Sequence, residues 1–250
     1  MQMNVGMGDV VLVHGWGAGA GVWKALVAEL APWRALETPD LPGYGAAPMC
    51  TPYTLDAIAA ELARSAPPRC GVVGWSLGAL VALAWARQAP QQVMRLGLIS
   101  ATPCFAQRAD WPHATAPGVL ARFSEELAAD RAGTLRRFIS LEAQGDARAK
   151  QVARQLREAH AARDGAAPAA LAAGLRLLRD TDMRGALASI SQPALVIHGD
   201  RDHVAPLAAG EHLSRGLPNA RLLVLPGAAH APFLSQARTV AAALRKYLDA

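Results

Sequence analysis

A serine flanked by two glycines is the residue in this sequence best suited to chemistry. Residues 74–78 read GWSLG and match the pattern G-x-S-x-G. The apolar run at 70–73 predicts a strand, and the run at 79–86 predicts a helix. In this setting the serine sits on a strained turn that exposes its hydroxyl, and a Cβ at either glycine would collide with backbone. We therefore predict that Ser76 is a nucleophile.

A serine hydroxyl is a weak nucleophile at neutral pH, so it needs a base and a carboxylate that orients the base. Residues 199–206 (GDRDHVAP) follow a strand-like run at 194–198, at an edge where parallel sheets place ligand chemistry. Two carboxylates compete in this loop. We favour Asp202, which lies further out, and expect Asp200 to cap the turn.

The base is predicted from chain order, because the acid and then the histidine follow the serine in this arrangement. Among seven histidines, His230 follows a strand-like run at 221–225 and precedes Pro232. His203 neighbours Asp202 but lies on the wrong side in chain order. The other candidates fall within a predicted strand, on a helix or in a segment of different rhythm: His198, His212, His113 and His160.

The loop after the first predicted strand supplies a second expected element. Residues 14–17 read HGWG. Two backbone N–H groups stabilise the oxyanion in such sites, and the matching residues here are Leu77 and Trp16. Losing one donor of this kind typically costs about 3 kcal/mol of barrier.

A rival interpretation starts from the same loop. Residues 15–20 (GWGAGA) formally fit G-x-G-x-x-G/A, and Glu37 lies at a suitable distance for a ribose contact. That pattern is typical of dinucleotide-dependent oxidoreductases. It gives no role to Ser76, Asp202 and His230. We therefore favour a serine hydrolase in which these three residues form the catalytic triad.

Short buried strands alternate with helices along most of the chain, which predicts a mostly parallel sheet covered on both faces. With the serine motif, this is the α/β-hydrolase fold. From 104 to 184 strand signals disappear, and Arg, Ala and Leu recur at helical spacing. We therefore expect a core of residues 1–103 and 185–250, with a helical cap inserted at 104–184. Predicted strands cover 10–13, 34–38, 70–74, 96–100, 194–198 and 221–225.

Charge is concentrated in the predicted cap. The chain has a formal net charge of +5, and residues 131–157 hold seven basic residues against two acidic ones. This stretch fits a solvated helix face or a docking patch for an acidic partner. Nucleic acid is a weaker possibility, because no nucleic-acid-binding module is visible.

Other features restrict the class of protein. Three cysteines without a C-x-x-C pair argue against a disulfide framework and a metal site. The N-terminus has no signal-peptide pattern, and the most apolar stretch, 77–86, is too short to span a bilayer. We expect a cytoplasmic, monomeric protein that needs no cofactor and binds neither membrane nor nucleic acid.

Several motifs together resemble one known family. They are residues 14–17, 40–45 (DLPGYG), 74–78, 102–105 (TPCF), 111–112 (WP) and 228–233 (AAHAPF). This set is similar to the pimeloyl-[acyl-carrier protein] methyl ester esterases of biotin synthesis. The resemblance implies hydrolysis of the methyl ester at the far end of a pimeloyl chain carried on acyl carrier protein, with release of methanol.

The resemblance also implies binding residues. Trp16 and Leu77 would line the acyl site, and further acyl contacts fall on Phe138, Ile139, Ser140, Leu141 and Glu142. Carrier proteins are acidic, and the family's docking positions match Arg137, Lys150 and Arg154. The sequence departs from the family's pattern in three places: Glu142 replaces an uncharged amide, Lys150 replaces an arginine, and an arginine is missing near Gly133.

Two alternatives to the carrier-protein esterase remain at this point. Many sequences share the predicted triad, and a fold does not determine its substrate, so a general carboxylesterase for short acyl esters stays open. A ligand receptor that keeps the triad but works by closing the cap is the alternative from another class.

Overall fold

The computed structural model describes residues 9–161 and 165–249. Its centre is a six-stranded sheet in which every pairing is parallel, in the order β2-β1-β3-β4-β5-β6. Parallel neighbours need long crossover connections, and the intervening helices provide them. The strands are β1 (Val10–Val13), β2 (Leu36–Glu37), β3 (Cys70–Trp75), β4 (Val93–Ile99), β5 (Ala194–Gly199) and β6 (Ala220–Leu225).

The strands in the middle of the sheet are buried on both faces, as expected for a sheet covered by helices. In β1, Val11 and Val13 pack into one buried cluster, whereas Val10 and Leu12 pack into another. Successive side chains of a strand point to opposite faces, so these two clusters are the two cores on either side of the sheet.

Helices cover both faces. They are α1 (Lys24–Leu30), α2 (Leu55–Ser65), α3 (Leu77–Gln88), α8 (Leu207–Gly216) and α10 (Ala237–Leu248). The cluster containing Val10 also includes residues of α1 and α10, and the cluster containing Val11 includes residues of α2, α3 and α8. A short α9 (Pro232–Ser235) precedes α10, and 3₁₀ turns occupy Ala20–Trp23 and Arg184–Ser189.

Four further helices lie between β4 and β5, where the strand rhythm of the sequence stops. They are α4 (Pro117–Ala129), α5 (Arg131–Ala143), α6 (Ala149–Ala161) and α7 (Pro168–Asp180), and we call them the inserted helices. Phe138 of α5 packs edge-on against Trp16, with 4.9 Å between ring centroids. The indole N–H of Trp16 donates to the carbonyl of Leu171 on α7 at 2.8 Å. The inserted helices therefore rest on the loop that follows β1.

The predicted fold class is confirmed, and each predicted strand corresponds to an observed one. The bounds differ at residues 34–38, where only the two-residue β2 forms at the edge of the sheet. They also differ at β4, which begins three residues before the predicted strand at 96–100 and ends one residue earlier.

No helix among residues 9–161 and 165–249 is long and apolar enough to cross a membrane.

The junction of β3 and α3 predicts a strong effect of one added methyl group. A Cβ at Gly78 would lie 2.1 Å from the carbonyl oxygen of Val13, which is rigid strand backbone. We expect Gly78→Ala to lower stability by about 3 kcal/mol, roughly 6–12 °C in Tm.

Gly118→Ala is the matched control for thermal unfolding, because nothing lies within 4 Å of the Cβ it would add. Alanine also favours a helix over glycine, so its Tm should stay level or rise slightly. Equal Tm values for the two variants would contradict the close approach at Gly78.

Candidate active site

The structure brings the three predicted side chains into one chain of hydrogen bonds. The Oγ of Ser76 lies 2.9 Å from Nε2 of His230, and Nδ1 of His230 lies 2.8 Å from Oδ2 of Asp202. They follow β3, β5 and β6, whose carboxyl ends meet at the same edge of the sheet. Residues far apart in the sequence are therefore placed in contact by the parallel topology.

Ser76 adopts the strained turn predicted from its motif. Its φ of 55° and ψ of −117° lie outside the regions that non-glycine residues normally occupy. A Cβ at Gly74 would lie 2.3 Å from the carbonyl oxygen of Gly78, so the turn closes only because the flanking residues lack side chains. The amide of Ser76 donates to the carbonyl of Ile99 at 3.1 Å, which anchors the strained residue to β4.

Asp202 is buried but well supplied with hydrogen-bond donors. Its Oδ1 accepts the amides of Val204 and Ala205, each at 2.9 Å. Burial acts to raise the pKa of Asp202, but the attraction and hydrogen bond of His230 outweigh it and hold that pKa below its ordinary value. Asp202 is therefore ionised at neutral pH and accepts a hydrogen bond from the N–H at Nδ1 of His230.

The tautomer of His230 follows from these partners. With Nδ1 donating to a carboxylate, Nε2 carries the lone pair and faces the hydroxyl of Ser76. The indole N–H of Trp75 donates to the carbonyl of His230 at 2.7 Å, and the amide of His230 donates to the carbonyl of Glu142 at 3.2 Å. The imidazole is thus ready to accept a proton from Ser76.

Asp200, the competing carboxylate, has the role expected of it. It is exposed, and its Oδ1 accepts the amide of Gly227 at 2.7 Å. It therefore caps the turn that leads to His230 and does not contact the imidazole ring.

The loop after β1 is held in a fixed shape by buried polar groups. His14 donates through Nδ1 to the carbonyl of Gly15 at 2.9 Å and accepts the amide of Leu41 at Nε2, at 3.0 Å. Burial lowers the pKa of His14 to about 4, so the ring is neutral. The hydroxyl of Tyr44 accepts the amide of Gly17 at 3.1 Å.

Neither the amide of Trp16 nor that of Leu77 makes a hydrogen bond within the part of the chain that the structure describes. Leu77 is the first residue of α3, where unpaired N–H groups and the helix dipole favour negative charge. In contrast, an amide that a dinucleotide phosphate would need is already bonded within the protein, since Ala20 donates to Asp40 at 2.7 Å. The loop suits an oxyanion better than a dinucleotide.

No three His, Cys, Asp or Glu side chains are grouped to hold a metal ion among residues 9–161 and 165–249.

The segment 138–142 does not act as one surface, because it is a turn of α5. Phe138 and Glu142 are four residues apart and share the buried face towards Trp16 and His230. Ile139 is also buried, in the core cluster that contains Trp75. In contrast, Ser140 and Leu141 line a groove on the outer surface of the inserted helices.

Glu142 is an unusual buried acid. Its side chain is 1% exposed, and its Oε2 has no hydrogen-bond partner among the described residues. Burial, reinforced by the negative charge of Asp202, raises the pKa of Glu142 well above its ordinary value. A neutral carboxylic acid resembles an amide in shape and charge, which accounts for glutamate at a position where the resemblance leads to an uncharged amide.

The outer groove lies between α4, α5 and α6 and has a volume of about 680 Å³. Its floor includes Phe123 and Leu141, and basic side chains at Arg122, Arg137 and Lys150 line it. The sequence analysis did not single out Arg122, since only the packing of α4 against α5 brings it to this groove.

Two of the three predicted docking cations already have acidic neighbours. Arg137 donates to Glu126 at 2.9 Å, and Arg154 lies 3.9 Å from Glu158. Arg137, Arg154 and Glu158 are exposed and Glu126 is partly so, and ion pairs at such sites exchange readily with solvent or with a partner.

His198 was set aside at the sequence level but contacts the site. Its Nε2 donates to the carbonyl of Ala205 at 2.7 Å and lies 3.5 Å from Oδ2 of Asp202. Burial lowers its pKa, so it is a neutral donor that braces the loop carrying Asp202. The signal for this role is its position four residues before the acid at the end of β5.

Comparison with known proteins identifies the class first. A sequence profile of the alpha/beta hydrolase fold matches residues 9–237. An esterase from Exiguobacterium antarcticum superposes with a TM-score of 0.88 at 22% identity, covering 98% of this chain and 93% of its own. A bromoperoxidase from Bacillus anthracis gives 0.87 at 22% identity, with the same coverages. These structures show the α/β-hydrolase fold.

Curated relatives then narrow the class. The pimeloyl-[acyl-carrier protein] methyl ester esterase of Aromatoleum aromaticum is 47% identical over 91% of this chain and 92% of its own length. The protein of the same name from Nitrosomonas europaea is 41% identical over 91% of this chain and 90% of its own length. This chain belongs to the family of these esterases, and it is a carboxylic ester hydrolase.

The buried acid at Glu142 predicts a pH-dependent difference in stability. Its folded-state pKa is raised, so above the ordinary pKa of glutamate the unfolded chain releases a proton that the folded chain retains. Stability from this group therefore falls as the pH rises. Glu142→Gln removes the effect, and its Tm should exceed that of the wild type by a few degrees at pH 8.

At pH 4 the two proteins should unfold at similar temperatures, since glutamate is then mostly protonated in both states. Exposed Glu158 gives the control substitution, Glu158→Gln, which should show no such pH dependence. A Tm difference between Glu142→Gln and the wild type that shrinks with rising pH would contradict the assignment.

Proposed function

We propose that this protein hydrolyses the methyl ester of pimeloyl-[acyl-carrier protein], releasing methanol and leaving the free carboxylate on the carrier-bound chain. The observation that carries the proposal is the hydrogen-bonded series Ser76–His230–Asp202. Relatives of the same family, at 41–47% identity, bear the name of this esterase.

Acylation begins at the hydroxyl of Ser76. The Oγ attacks the ester carbonyl while Nε2 of His230 takes its proton, and the carboxylate of Asp202 stabilises the imidazolium that forms. Negative charge moves to the former carbonyl oxygen. The amides of Trp16 and Leu77 donate to that oxygen, since neither has another partner among the described residues.

Collapse of this intermediate breaks the bond to the methoxy group. His230 gives its proton to the leaving oxygen, so methanol departs and the pimeloyl chain remains as an ester of Ser76. Water then attacks the acyl-enzyme, with His230 first accepting and then returning a proton. Ser76 regains its hydroxyl, and the product leaves as a carboxylate.

Carrier protein docking is assigned to the outer groove and its basic rim. Arg137 and Lys150 line the groove, and Arg154 lies on α6 beyond it. The positive charge of this rim suits an acidic carrier. Phe138 and Glu142 face the buried side of α5 and are assigned to the acyl site.

The surrounding assignments complete the proposal. The core is residues 1–103 and 185–250, with the cap at 104–184, and the cap supplies the carrier-binding face. The protein is proposed to work in the cytoplasm, where a carrier-bound substrate would be found. A general carboxylesterase would differ in one respect, because it would not distinguish carrier-bound esters from free ones.

The nucleophile assignment predicts the loss of turnover on removing one oxygen. Ser76→Ala should lower kcat on p-nitrophenyl acetate by at least about 10⁴-fold and leave Tm nearly unchanged, since alanine fits the same space. Ser189→Ala removes an exposed hydroxyl that bonds only to the carbonyl of Ala186 and should retain full activity. Appreciable turnover by Ser76→Ala would reject the assignment.

The docking assignment predicts an effect that depends on the substrate. Changing Arg137, Lys150 and Arg154 together to glutamine should raise KM for methyl pimeloyl-carrier protein by about 10-fold or more, with KM for free methyl pimelate unchanged. The carrier-dependent effect should weaken in high salt, because exposed charges are screened.

A triple variant with the same loss of charge is the control. Arg64, Arg215 and Arg238 are exposed and pair with glutamates away from the inserted helices. Their replacement by glutamine should leave both KM values unchanged. Equal losses on both substrates after changing the docking residues would favour the general carboxylesterase.

A further inference from the structure

The loop that carries His230 is bonded to the inserted helices as well as to the sheet. One contact is the hydrogen bond from the amide of His230 to the carbonyl of Glu142, and the others come from residues 144–148, the turn between α5 and α6, which we call the α5–α6 turn. Within it, Oδ2 of Asp146 accepts the amide of Ala229 at 3.0 Å and the hydroxyl of Ser235 at 2.9 Å. Ala229 directly precedes the proposed base.

Asp146 is held in one orientation. Its second oxygen, Oδ1, accepts the amide of Arg148 at 2.7 Å, so both carboxylate oxygens are occupied. The residue is only 7% exposed. Hydrogen bonds from neutral donors to a shielded carboxylate are stronger than those between neutral groups. The arrangement therefore fixes the amide of Ala229 firmly.

Two neighbouring contacts extend the same junction. The amide of Ala147 donates to the carbonyl of Gly227 at 2.8 Å, and the guanidinium of Arg148 donates to the carbonyl of Ser235 at 2.9 Å. The turn thus bonds to residues on both sides of His230. Its attachment is specific to the stretch of chain that sets where the imidazole lies.

Residues of the core bind other backbone groups of this loop, whereas the amide of Ala229 is bound by Asp146. Asp200 accepts the amide of Gly227, Arg201 donates its amide to the carbonyl of Ala228, and Trp75 binds the carbonyl of His230. Ala229 is fully buried, so its N–H cannot exchange its partner for water. Losing the carboxylate would leave a buried donor unpaired and favour rotation of the 228–229 peptide, which directly precedes Ala229.

We propose that Asp146 is a positioning residue for His230, acting through the amide of Ala229 and not through contact with the reacting atoms. The proposal rests on the proposed function for the assignment of His230 as the base. It also gives the inserted helices a part in catalysis, because the α5–α6 turn joins the helices that bear Arg137, Lys150 and Arg154. The position of those helices and the alignment of the base are therefore coupled.

The test compares Asp146→Ala and Asp146→Asn with the wild type on p-nitrophenyl acetate, a substrate that needs no carrier. Asp146→Ala should lower kcat by about 10- to 100-fold, since displacement of a catalytic group by about 1 Å has effects of this size. Asp146→Asn keeps one acceptor oxygen and should fall between. KM should change little, because the acyl site does not include Asp146.

A second readout separates positioning from a purely structural role. A misaligned base lowers kcat per folded molecule while KM stays nearly constant, and the remaining acceptor oxygen of Asp146→Asn should restore part of the loss. A purely structural role lowers only the amount of folded protein, so kcat per folded molecule should then stay at the wild-type value.

Two control variants come from the same region. Ser235→Ala removes a neighbouring bond to Asp146 but keeps the bond to Ala229, and it should lose far less kcat than Asp146→Ala. Asp130→Ala removes a carboxylate that caps α5 through Gly133 and does not bond to the loop of His230. It should match the wild type in both kcat and KM once folded protein is quantified.

Either of two results would overturn the proposal: an Asp146→Ala enzyme with kcat within twofold of the wild type, or a loss in Ser235→Ala as large as that in Asp146→Ala. The failure of the proposed function has a different signature, namely full activity in Ser76→Ala or no use of the carrier-bound ester. The two ideas can therefore fail separately.

Discussion

The position of one imidazole is the constraint that most of this structure serves. Nε2 and Nδ1 of His230 must stay within 2.9 Å of Ser76 and 2.8 Å of Asp202 at the same time. No helix or strand contains His230, so its alignment depends on contacts made by the surrounding loop. Those contacts come from Trp75 on β3, from Asp200 after β5, and from the inserted helices.

Two buried carboxylates near this imidazole are kept in opposite ionisation states. Asp202 receives two amide hydrogen bonds and faces His230, so its charge is stabilised despite burial. Glu142 is equally shielded but has an unpartnered oxygen and lies near the charge of Asp202. Burial alone cannot explain the difference, because both are buried; the attraction and hydrogen bond of His230 hold the charge on Asp202, whereas the charge of Asp202 opposes a second charge on Glu142. One acid therefore orients the base, and the other remains neutral.

The sequence predicted the parts of the site that depend on local backbone and on strand order. The turn at Ser76 follows from glycines on either side, and the loops bearing Asp202 and His230 follow from the strands before them. Contacts that depend on how loops fold back were not predictable. Asp146 meets Ala229 across 83 positions. His198 stands four residues before Asp202, but its bond to Ala205 depends on the path of the loop after β5. Neither contact leaves a periodic signal in the sequence.

Access to the serine connects these contacts to substrate choice. Ser76 is only 3% exposed, and Trp16 beside it is covered by Phe138 and bonded to Leu171, both on inserted helices. These side chains limit access to the hydroxyl. Because α5 also ends in the turn that bonds the loop of His230, any movement of α5 that widened this access would act on the support of the base. A partner that seats α5 and α6 from outside, through their basic surface, would hold that support in place while the acyl chain enters.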